Sequence, residues 1–104
     1  MTDERAQLLA KLNAETGRMD WQALVRHFAR GVVIKVAAGM DLVEVAAALA
    51  GDDRTVVEQW LSTGRIARAV DADAQAWHDR QATFWAVVVA PWVLVQESRD
   101  GSED

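Results

Sequence analysis

The chain contains no cysteine, which excludes disulfides, thiolate metal sites and a cysteine nucleophile together and fits a reducing compartment. Histidine is scarce. His27 and His78 are the only two. They stand in neither an H-x-x-x-H nor an H-E-x-x-H spacing, so a zinc site would need distant carboxylates, and each reads as a solvated or hydrogen-bonded helix residue. The glycines occur singly, which leaves no phosphate-cradling loop. Ser62, Ser98 and Ser102 lie at a helix end and in the tail, with no strand-to-helix elbow around any of them. No catalytic residue, metal ligand or cofactor is therefore expected, and the chain reads as non-enzymatic. Sixteen acids against eleven Lys and Arg give a net charge of −5, and the bases do not cluster along the sequence, an unfavourable balance for a phosphate backbone. The longest wholly apolar run is twelve residues, short of the roughly 18 that a membrane span needs. The first residues are acidic and carry no apolar stretch behind a basic one, so no signal peptide is expected, and a bacterial-type cytoplasm is the expected location.

That run, 84–95, is what the chain is built around. It reads Phe-Trp-Ala-Val-Val-Val-Ala-Pro-Trp-Val-Leu-Val, dominated by the β-branched and aromatic types that fit a pleated surface and lose side-chain freedom in a helix. Alternate positions are apolar on both sides, so the strand should be covered on both faces, by helices or by a second subunit. Straight, it would reach roughly 40 Å, twice a usual strand, so it should break at the sole proline, Pro91, into strands over 83–90 and 92–97.

The rest reads as five helices and two short strands. A first helix, Asp3–Glu15, has Thr2 as its cap, Leu8, Leu9 and Leu12 inward and Gly17 as its stop. Asp20 caps a second, with Trp21, Leu24, Val25 and Phe28 in one apolar stripe, followed by a strand over 32–36. Asp41 and Glu44 form a capping-box pattern, with Met40 and Val45 as a hydrophobic staple, at the start of a third helix. Asp52 or Asp53 caps a fourth, with Val56, Val57, Trp60 and Leu61 inward. An edge strand over 65–70 and a short helix around 74–80, opened by Asp71 or Asp73 and carrying Trp77, complete the set. The expected architecture is α+β: one domain over 1–97, with helices packed on a small sheet that includes the C-terminal apolar strand, and a disordered acidic tail over 98–104.

Two functions from different classes fit these residues. The first is protein–protein interaction or regulation through self-association, most simply a two-fold dimer or a partner protein. Trp85 and Trp92 are expected on opposite faces of the apolar strand, and Trp85, Pro91, Trp92 and Leu94 form the interface, with 92–97 or its flanking face buried by another copy. The remaining tryptophans, of five in all, are core fillers. The alternative is nucleic-acid binding. Over 43–62 two helices flank Gly51-Asp52-Asp53, with Ala47, Gly51, Val57 and Trp60 at the small, turn and core positions of a helix-turn-helix, and the stretch from Trp60 to Ile66 is similar to that of excisionase-like winged domains. Arg54, Thr55, Glu58 and Gln59 would then face the major groove, and Arg65 and Arg68 would reach phosphates. The acids Asp52, Asp53 and Glu58 oppose that reading.

The order of several blocks, Phe28-Ala29-Arg30-Gly31, Met40 to Ala46, Val57 to Leu61 and above all Trp85 to Glu97, resembles the small bacterial family catalogued as domain of unknown function 2288. The resemblance covers nearly the whole chain. It implies a bacterial cytosolic protein and carries over no catalytic residue, ligand or partner.

Overall fold

The computed structural model describes residues 3–98. The expected Thr2 cap and residues 99–104 of the expected tail lie outside them. In chain order the elements are α1 (Asp3–Glu15), β1 (Gly17–Asp20), α2 (Trp21–Ala29), β2 (Val33–Val36), α3 (Leu42–Ala50), α4 (Arg54–Ser62), β3 (Ile66–Arg68), α5 (Asp71–Asp79), β4 (Thr83–Val89) and β5 (Trp92–Glu97). The helices start where the sequence supplies a carboxylate for orphan N–H groups. Asp20 accepts from the Ala23 N–H at 2.9 Å, Asp41 from Val43 and Glu44 at 3.0 and 3.2 Å, and Asp53 from Val56 at 3.4 Å. In α5 the direction is reversed, with Asp73 accepting from the Val70 N–H before the helix at 2.9 Å. The capping box at Asp41 is half formed. Glu44 does not reach back, and its carboxylate takes the guanidinium of Arg5 at 2.6 Å, tying α3 to α1.

The strands make one mixed sheet in the order β1-β4-β5-β2-β3. The apolar run is the β4–β5 hairpin, broken as expected at Pro91, where the Ala90–Pro91 peptide is cis. β5 is not an edge. It lies between β4, antiparallel, and β2, parallel, so its backbone is paired on both sides within the chain. The edges are β1 and β3. β1 was not expected: Gly-Arg-Met-Asp has no strand preference of its own, and its extended form comes from pairing with Thr83 to Ala86 of β4.

Register assigns every side chain to a face. On one face Val87, Leu94, Ile34, Val36 and Ile66 pack with Leu12 of α1 and with Leu42, Val45, Ala46 and Ala47 of α3. On the other, Phe84, Ala86, Val93, Val95 and Val33 pack with Trp21 and Leu24 of α2 and Trp77 of α5. The helices therefore cover both faces of the apolar hairpin without a second subunit, which is why its residues need no polar alternation. Cover is thinnest at the ends. Val25 of α2 and Leu61 of α4, expected inward, are exposed over somewhat less than half of their surface, and Val88 over somewhat more.

Candidate functional site

The residues expected at an interface separate into two groups. Because β4 and β5 are antiparallel, Trp85 sits opposite Gln96 and Trp92 opposite Val89, which puts the two tryptophans on the same face at opposite ends of the hairpin, not on opposite faces. Trp85 stays 39% exposed, with the guanidinium of Arg18 from β1 4.8 Å from its ring centroid. Trp92 is half-buried against the α1/α3 core. Arg68 of β3 lies over its ring at 5.4 Å and donates to the Gly31 carbonyl at 2.6 Å. Gly31 can present that carbonyl because it closes α2 at φ +76°, a conformation glycine adopts without cost. Pro91 is exposed in the turn. Leu94 is fully buried and cannot meet a partner in the folded chain. What the structure brings together is Trp85, Arg18 and the outer edge of β1, a strand that pairs on one side only among the described residues.

The helix pair α3–α4 does form around Gly51-Asp52-Asp53, with Asp52 at φ 56° in the turn. Arg54, Thr55, Glu58 and Gln59 are exposed on α4 and Arg65 is exposed beyond it. Arg54 lies 3.7 Å from Asp52, and Arg68 is engaged with Gly31 and Trp92 as described. The surface at this turn carries Asp52, Asp53 and Glu58 around Arg54, a balance that repels phosphate.

A second site escaped the sequence. A cleft of about 360 Å³ opens between α5 and the carboxyl ends of the parallel strands β2 and β5, with Lys35, Asp73, Arg80 and Glu97 at its walls and Trp77 and Val95 among its apolar lining. The four charges form two ion pairs across it. Lys35 of β2 donates to Asp73 of α5 at 2.8 Å, and Arg80 at the end of α5 grips Glu97 of β5 through two nitrogens at 2.6 to 3.0 Å. In the sequence Asp73 reads as a helix-start residue and Glu97 as the last residue of the C-terminal strand. The one available signal was Lys35, a lone charge inside a β-branched run, which needs a partner if its neighbours are buried.

Burial works to raise the pKa of the Asp73 carboxyl, but the hydrogen bonds from Lys35 and the Val70 N–H, with the charge of Lys35, outweigh it, so the pKa lies below its ordinary 3.8. The hydrogen bonds that Arg80 donates to Glu97, followed by the charge of that carboxylate, raise the pKa of Arg80. A carboxyl whose folded pKa is depressed adds stability that is present above its unfolded pKa and is lost as pH falls through the folded value. The Asp73 contribution should therefore hold at neutral pH and disappear below 3.8. Urea midpoints followed down through that range are expected to fall less steeply for Asp73→Asn than for the natural chain. An unchanged acid limb would show that the Lys35 pair does not stabilise the fold.

Among the described residues, no group of three or more His, Cys, Asp or Glu could hold a metal ion, and no helix is long and apolar enough to cross a membrane.

The family model described as "Protein of unknown function (DUF2288)" matches residues 7–97. The solution structure of PA1075 from Pseudomonas aeruginosa is 49% identical, with a TM-score of 0.78, the match covering 93% of this chain and 90% of that one. It has the same fold. No curated protein matches.

Proposed function

We infer that this chain, which belongs to the DUF2288 family of proteins of unknown function, is a non-enzymatic interaction module that self-associates. The observation that carries this reading is the outer edge of β1 beside the exposed ring of Trp85. A four-residue edge strand presents unpaired backbone N–H and C=O groups, a ready template for another strand. An antiparallel two-fold pairing that sets Met19 opposite its own copy places Arg18 of each chain across from Asp20 of the other, so opposite charges meet. Trp85, immediately inside β1 in the sheet, is the large amphipathic side chain such an interface favours. The helix pair α3–α4 we read as a packing unit, since its turn is acidic and two of the three arginines of the nucleic-acid reading, Arg54 and Arg68, have partners inside the chain.

Light scattering behind a sizing column tests the reading. The natural chain at high micromolar concentration is expected to run as a dimer. Met19 is half-buried at the margin of the α2/α5 core, and Met19→Lys, which would set two ammonium groups face to face across the two-fold axis, is expected to give a monomer whose fold is checked by circular dichroism. A natural chain that stays monomeric refutes self-association. A dimer indifferent to Met19→Lys and to Trp85→Ala would place the interface elsewhere.

A further inference from the structure

We propose that the cleft between α5 and the parallel strands binds an elongated zwitterion, an ω-amino carboxylate such as a lysine-like chain with a free carboxylate. The place is where an open sheet receives ligands. Two neighbouring parallel strands, β2 and β5, end together, and the crevice beyond the carboxyl ends of such strands is where helix cover leaves room. Its volume of about 360 Å³ lies within the range of small-molecule sites, roughly 300–1,000 Å³.

The charge pattern selects the ligand class. Asp73 and Arg80 are seven positions apart along α5, so they lie on one side of it about 10 Å apart. Between them Ala76 and Trp77 line the cleft. Each end holds one cation and one anion, Lys35 with Asp73 and Arg80 with Glu97. A simple anion could use only the donors that Arg80 has to spare, and a simple cation only the spare lone pairs of Asp73, so each would engage one end alone and beside a like charge. A molecule with opposite charges at its two ends and methylenes between gains at both ends and covers the apolar stretch.

The resting ion pairs need not break. Glu97 occupies Nε and Nη2 of Arg80, and a guanidinium has five N–H donors in a planar fork, which leaves Nη1 to grip a ligand carboxylate. Asp73 spends one oxygen on Lys35 and the other on the Val70 N–H. Each oxygen keeps a second lone pair for a ligand ammonium. Arg80 is the specificity end, because the N–H donors of its Nη1 stay open to a carboxylate while its side fork holds Glu97.

Titration of the isotope-labelled chain with 6-aminohexanoate, followed by proton–nitrogen correlation spectra, tests this. Saturable shifts are expected at Lys35, Ala76, Arg80 and the Trp77 indole. Hexanoate and hexylamine, each lacking one charge, should bind at least about tenfold more weakly, and Arg80→Gln, which leaves the α5 core contacts in place, should weaken 6-aminohexanoate by a similar factor. A peptide ending in lysine with a free carboxylate, beside its C-terminal amide, separates the sources. Binding of the free acid alone assigns a protein chain end, and binding of 6-aminohexanoate without either peptide assigns a free amino acid. No saturable shift at tens of millimolar, or hexanoate binding as well as 6-aminohexanoate, overturns the site.

Discussion

Truncating Trp77 to alanine is expected to remove about 3–5 kcal/mol of stability, out of the roughly 5–15 kcal/mol that a domain of this size has, and to leave a large unfolded fraction at modest urea concentrations. Trp77 is buried, with 5% of its surface exposed. It joins the two helices of its layer to the sheet: its ring centroid lies 6.0 Å from that of Trp21 in α2 and 4.9 Å from that of Phe84 in β4, edge to face at 83°. Such pairs add to simple area burial. Removing the middle ring of three leaves a cavity that Trp21 and Phe84 cannot both close into. Trp85→Ala removes a side chain of the same size at an exposed position and is expected to change stability by less than about 1 kcal/mol. Urea unfolding followed by circular dichroism measures both. A Trp77→Ala chain within about 1 kcal/mol of the natural one would mean that the aromatic layer carries little of the fold.

Leu94→Ala is expected to cost about 2–5 kcal/mol while leaving the oligomeric state unchanged. Leu94 has no exposed surface, lies in the central strand opposite Val87 on one side and Ile34 on the other, and packs with the α1/α3 core. Its interface role, expected from the apolar run, gives way to this position. Paired urea and light-scattering measurements separate the alternatives. A variant that loses the dimer without losing stability would return Leu94 to a surface.

Much of this fold was legible because local chemistry and tertiary structure agree. Asp20, Asp41 and Asp53 stand where helices begin, and the Val-rich run has no polar residue to give a solvated face, so it became the sheet interior. The failures have a common cause. β1, the place of β5 in the sheet and the shared face of Trp85 and Trp92 are all matters of strand pairing, and pairing is set by partners distant in sequence. Pro91 marked the turn but not which strand would lie beyond the hairpin. The cleft was hidden for the same reason. Lys35 and Asp73, like Arg80 and Glu97, are ordinary surface charges until the crossover brings α5 against the ends of β2 and β5.

The position of β5 also bears on how the chain is made. On the ribosome, β1, β2, β3 and β4 emerge before it, yet β2 and β4 meet only through β5, which fills the gap between them. A nascent chain stopped before Trp92 therefore has two strands with apolar residues and unpaired inner edges, and neither core can close. Pairing across so long a stretch of sequence is slow to form compared with local contacts. Translation must pass Glu97 before the native sheet exists at all, so synthesis errors that lose the last strand yield aggregation-prone chains, ready targets for chaperones and proteases, rather than partly working ones.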